Sequence, residues 1–310
     1  MVLERKVKRD DCSFFVAIAP RVRGVETSKA RIILSELVGD PRLVLVTGKG
    51  GVGKSSIARL IAMIAEAASL KPLLVLFDEF GGASSGIEQV ILLPDAVMLE
   101  YLETHGFGPL AQRLLKSGVI DAVSTAIPGI RDLLVLAKIK QLVNSGIYDL
   151  VLVDAPASGH LLSLLSSPDG LSAIASDGPI AQQSADVLEL LRDQELTGVV
   201  LVTLPEETPV QETTEVYTHL TTSLATNVLS CIVNRMPAMV EVRSDLVDGT
   251  AEQQANQYLA SRSGFANKQA RSIRELLGIP TFEFPYVEGA SQPSRAARFL
   301  YDQADEWGLS

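Results

Sequence analysis

The sequence predicts an α/β chain: a doubly wound, mostly parallel sheet with helices on both faces and a small helical subdomain. Three observations predict it. Short apolar runs of strand length recur at Leu43–Val46, Leu73–Phe77, Leu150–Val153, Val199–Thr203, Val228–Val233 and Pro280–Phe284. Runs without polar alternation suit strands buried on both faces. Between them lie segments with apolar residues at helical spacing, such as Ile57, Leu60, Ile61 and Ile64. Alternating strands and helices are the pattern of a parallel sheet with crossover connections. Finally, a glycine-rich loop joins the first strand to the first of these helices, the position such a sheet reserves for binding phosphate.

That loop organises the chain. Gly48 to Ser55 reads GKGGVGKS and fits G-x-x-x-x-G-K-S. Its glycines let backbone N–H groups converge on phosphate oxygens, and the helix starting near Lys54 adds its positive dipole end. Gly48, Gly50, Gly51, Val52, Gly53, Lys54, Ser55 and Ser56 are therefore the candidate cradle. Lys54 can reach the β- and γ-phosphates, and the Ser55 hydroxyl can ligate Mg²⁺. The expected cofactors are ATP or ADP with Mg²⁺.

Composition bounds the remaining classes. A chain of 310 residues, 47% hydrophobic, makes one large domain or two small ones. We expect an N-terminal extension over 1–41 packed on the core, then a single domain over 42–310 with a helical insertion around 83–126. The net charge of −10 argues against a broad nucleic-acid surface. No apolar run reaches the ~18 residues that span a bilayer, so no transmembrane segment is expected. The N-terminus, MVLERKVKRDD, mixes charges and lacks the apolar core of a secretion signal. Cys12 and Cys231 make neither a metal spacing nor an obvious bridge, which fits a reducing cytoplasm.

The next strands end in acids. Leu73–Phe77 leads into Asp78-Glu79-Phe80-Gly81-Gly82, and Leu150–Val153 into Asp154-Ala155-Pro156-Ala157-Ser158-Gly159-His160. Ligands of open α/β sheets bind at the carboxyl ends of strands, so Asp78 and Asp154 lie on the ligand side. An aspartate beside Ser55 can hold an Mg²⁺ water. Residues 83–126 carry no strand signal; Val97, Leu99 and Leu102, then Leu110, Leu114 and Leu115, indicate helices. The fifth strand leads into Asn234-Arg235, and 244–277 read as polar and helical.

Lys49 inside the loop, together with the Asp154–His160 stretch and the earlier Pro128-Gly129-Ile130, resembles the ArsA/Get family of deviant Walker A ATPases, and among them most the paired bacterial Get-like ATPases. The resemblance runs from Leu43 to about Gly289. It implies a P-loop NTPase fold of the SIMIBI type and a dimeric, Mg²⁺-dependent ATPase switch. It implies that Lys49 reaches a partner's nucleotide and that Asp78 orients the attacking water. Here the chain departs from the family's Asp-Pro, which leaves Glu79 as a rival. Pro205, Glu206, Glu212 and Thr213 match a further family step. By resemblance Asn234 hydrogen-bonds adenine, and a loop that includes Pro285 and Val287 covers it. The expected partners are a second copy or a related ATPase, and an unknown protein client. Neither a cysteine cluster for metalloid nor a Cys-x-x-Cys zinc clamp is present. The alternatives are a weakly catalytic nucleotide-binding subunit of a heterodimer and, less favoured, a ParA/MinD-like positioning ATPase.

Overall fold

Strand β1, Leu43–Thr47, is buried along its whole length. Its side chains alternate between two cores. Leu43 and Leu45 enter one, while Val44 and Val46 enter the other. A strand with no solvated face must be covered on both sides, which sets the layering of the molecule. The computed structural model describes residues 26–77, 87–104, 127–175 and 177–286.

The remaining elements are α1 (Thr27–Val38), α2 (Lys54–Ala67), β2 (Pro72–Leu76), β3 (Glu88–Ile91) and α3 (Pro94–Leu102). They continue with α4 (Ile130–Asn144), β4 (Leu150–Asp154), α5 (Ser158–Ile174), α6 (Pro179–Arg192) and β5 (Thr197–Thr203). Last come α7 (Glu207–Thr222), β6 (Val228–Met236), α8 (Ala251–Leu277) and β7 (Thr281–Pro285). Among the described residues seven strands pair in the order β3-β2-β4-β1-β5-β6-β7, every pair parallel. Helices α1 and α2 cover one face through Ile33, Leu37, Ile57, Leu60, Ile61 and Ile64. Helices α4 to α8 cover the other through residues such as Leu133, Leu164, Val187, Val210 and Ile273. This is the doubly wound α/β fold of a P-loop NTPase.

After β1 the chain crosses toward β2 on one side; after β5 it crosses toward β6 on the other. The connections diverge between β1 and β5. A crevice therefore opens at their carboxyl ends, where ligands bind in such sheets. The loop 48–53 rises from β1 at this crevice, and Leu204–Glu206 leaves β5 beside it.

The structure differs from the sequence expectations in three places. Glu88–Ile91 forms an edge strand inside the segment read as strandless. Val90 alone of its four residues is buried, Ile91 is exposed, and Glu88 and Gln89 are half-buried, so neither an apolar run nor a clean alternation marks it. Strand β6 runs through Asn234 to Met236, because pairing with β7 resumes beyond a register shift at Met236 and Pro285. Helix α8 begins at Ala251, not 244; Thr250 caps it by accepting a hydrogen bond from the Gln253 N–H. The sequence also predicts a strand over Cys12–Ala19 and a final helix over Pro293–Trp307; these, with the helix marked by Leu110, Leu114 and Leu115, lie outside the described residues.

Cys231 shows how closed the sheet is. It sits in β6, fully buried, and burial pushes its thiol up to about 12. The thiolate is the reactive form. We expect Cys231 to resist iodoacetamide at pH 8 in the native chain and to react once denaturant is added, read by peptide mass mapping. Labelling at equal rates in both states would contradict the burial.

Candidate nucleotide-binding site

The loop owes its path to three glycines. Gly51 and Gly53 take φ of 83° and 101°, conformations that side chains with a Cβ rarely adopt. Gly48 is needed for a different reason: a Cβ there would fall on the Val202 carbonyl oxygen of β5. Val52, by contrast, is buried and anchors the loop in the α1–α2 core. A Cβ on Gly50 or Gly51 meets nothing within 4 Å, so the outer rim of the loop is open. An open rim over the start of a 14-residue helix fits an anion, and the phosphate chain of a nucleotide fits this cradle.

Lys54 begins α2 and its Nζ donates to the Lys49 carbonyl at 3.1 Å, closing the loop on itself. Burial lowers its pKa from the usual lysine value, and the Asp154 carboxylate opposes that shift. Lys54 is thus a partly desolvated cation with a carboxylate in its field, and an arriving phosphate would favour its charged form further.

The loop is tied to the end of β4. The Ala155 N–H donates to the Val46 carbonyl at 3.1 Å, and the Ser158 N–H to the Gly48 carbonyl at 3.1 Å. The Thr47 hydroxyl donates to the Pro156 carbonyl at 3.3 Å. Asp154 closes β4 with Val46 as its register partner, so its carboxylate stands at the loop's edge. Ser55 and Ser56 follow Lys54 in the first turn of α2, half-buried. Asp132, in the first turn of α4, is raised by burial while His160 pulls it back. The acid after Pro128-Gly129-Ile130 therefore lies within the electrostatic reach of His160, in the segment that follows Asp154.

Lys49 turns away from the loop. Its Nζ lies 2.6 Å from Oε1 of Glu212 in α7 of the same chain, with both side chains about 40% exposed. Glu206, at the N-cap of α7, is exposed and caps no backbone N–H through its side chain. Asn234 enters from β6: its Nδ2 donates to the Val52 carbonyl at 2.8 Å.

The fold thus brings together Gly48–Ser56, Lys49, Lys54, Asp154 and Asn234. Pro285 ends β7 at the same sheet edge, in register with Met236. Asp78, its rival Glu79, and Val287 lie outside the described residues. Glu212 entered the sequence reading only by resemblance; no local signal links it to a lysine in the loop. The Thr47–Pro156 and Val52–Asn234 bonds carried no sequence signal either.

Comparison with known proteins agrees with this geometry. The family described as "Anion-transporting ATPase" (ArsA_ATPase) matches residues 103–177. The ATPase BagA of Mycobacterium tuberculosis is 35% identical over 232 residues, covering 64% of this chain and 67% of that protein. A putative arsenical pump-driving ATPase of Chlorobaculum tepidum is 25% identical over 58% of this chain and 57% of its own length. An arsenical pump-driving ATPase of Escherichia coli is 26% identical over 74% of this chain but 40% of its own length. With the phosphate loop at the crevice of a parallel sheet and a relative this similar over two thirds of its length, the chain belongs to the ArsA ATPase family.

Proposed function

We propose that the chain is an Mg²⁺-dependent ATPase that works as a dimeric switch. The observation that carries the reading is the loop 48–55, open at its rim, closed underneath by Lys54 and hydrogen-bonded to the segment after Asp154. The loop N–H groups and Lys54 hold the phosphate chain. Ser55 and Asp154 would hold Mg²⁺, which supplies charge neutralisation at the phosphates when bound. Asp78 orients the attacking water. Catalysis of this kind is mostly positioning and charge stabilisation. Because Ala155 and Ser158 donate to Val46 and Gly48, loss of the terminal phosphate is felt directly by the segment leading into α5. The coupled client is a protein. The arsenical pumping named for two relatives is not part of this reading, since Cys12 and Cys231 are the sequence's two cysteines and make no cluster along it.

A second reading, a weakly catalytic nucleotide-binding subunit of a heterodimer, rests on the sequence Asp78-Glu79 where the family has Asp-Pro. Among the described residues no helix is long and apolar enough to cross a membrane.

The test is calorimetric titration of Mg-ATP beside a turnover assay. Lys54→Ala removes a charge-assisted phosphate contact of ~2–3 kcal/mol, so its affinity should fall about 10²-fold. Unchanged affinity in that variant refutes the phosphate-loop assignment. Tight binding by the wild-type chain with no turnover at any concentration favours the second reading.

A further inference from the structure

Asn234 is engaged at both ends of its carboxamide by its own chain. A carboxamide carries two N–H donors and an oxygen with two lone pairs. One donor is committed to the Val52 carbonyl at 2.8 Å, and Oδ1 accepts from the Arg235 N–H at 2.9 Å. The second bond accompanies a left-handed backbone at Arg235, φ 60°. That conformation is uncommon for arginine and turns the main chain within β6. The contact is close enough to dictate the neighbouring residue: a Cβ on Gly53 would collide with Nδ2 of Asn234.

The carbonyl it grips matters. A trans peptide is planar, with its C=O and N–H pointing in opposite directions. Holding the Val52 oxygen toward β6 therefore aims the Gly53 N–H the other way. The Val52 side chain is buried in the α1–α2 core and fixes the peptide from its other side. The loop's use depends on the directions of its N–H groups.

We propose that Asn234 is a positioning residue of the phosphate loop: it orients the Val52–Gly53 peptide, in addition to any contact with a base. The inference rests on the nucleotide-site reading above. It predicts that Asn234 contributes to binding a phosphate chain that has neither base nor sugar.

The experiment titrates Mg-tripolyphosphate and Mg-ATP into the wild-type chain and into Asn234→Ala, with thermal unfolding of each unliganded protein as the folding control. Asn234→Ala is expected to weaken tripolyphosphate on the order of 10-fold and ATP at least as much, at a melting temperature close to wild type. Asn234→Leu supplies a second variant of similar shape. It removes the donor to Val52 without adding a charge, and the same losses are expected. Variants that lose affinity for ATP and keep wild-type affinity for tripolyphosphate overturn the positioning role and leave the nucleotide site standing. A wild-type chain that binds neither ligand overturns both.

Discussion

Lys49→Ala is expected to lower ATP turnover by about 10³-fold while leaving Mg-ATP affinity nearly unchanged. A cation delivered in trans to a transferring phosphoryl group is worth roughly 10³–10⁵ in rate, and a lysine, lacking a bidentate fork, belongs at the lower end. The trans role belongs to the dimeric switch proposed above. Within its own chain Lys49 points to Glu212, not into the loop, and it is Lys54 that turns inward. An ion pair this exposed is worth ~0–1 kcal/mol, so exchanging Glu212 for a phosphate on a second chain costs little. Complementation decides the matter. Lys49→Ala and Lys54→Ala chains, each inactive, are mixed. A mixed dimer holds one site with an intact Lys54 in its own loop and an intact Lys49 from across, so turnover returns. If Lys49→Ala alone turns over at the wild-type rate, the trans role is gone. If the mixture stays inactive although the chains associate, Lys49 acts within its own subunit.

Gly48→Ala is expected to cost at least ~3 kcal/mol of stability and to abolish nucleotide binding. The added Cβ lands on the Val202 carbonyl oxygen, a main-chain atom of β5. No rotamer change relieves such a clash. Strands β1 and β5 are locked in register from Leu43–Thr197 to Thr47–Leu201, so separating them would cost ladder bonds and buried contacts. In a domain of this size the melting temperature should fall by roughly 6–12 °C. Gly50→Ala is the control, because its Cβ meets nothing within 4 Å. It should melt within about 2 °C of wild type. Equal melting temperatures for Gly48→Ala and wild type would show that the sheet yields at the loop's root.

The candidate site was legible where its chemistry is local. Gly48 to Ser55 is contiguous, and a strand before it with a helix after it sufficed to place the loop. Asp154 was legible because an apolar run ending in an acid marks the ligand edge of a parallel sheet. Lys49's partner was not, since 163 residues separate it from Glu212. Asn234 was placed at the site, but its bond to Val52 spans 182 residues and has no sequence signature. Strand β3 escaped notice because it sits at the edge and forms through pairing with β2 more than through its own four residues.

By itself, then, the sequence determined the alternation of buried strands with amphipathic helices, the phosphate loop and the acid at the end of β4. These are set by periodicity and by backbone conformations that only certain residues adopt. The tertiary structure alone decided which strands neighbour β1, that Lys49 faces α7 instead of its own loop, and that Asn234 grips the Val52–Gly53 peptide. Those outcomes depend on the order in which parallel strands stack. Hydrogen bonds across a sheet read distance in space, and composition and spacing along the chain do not encode it.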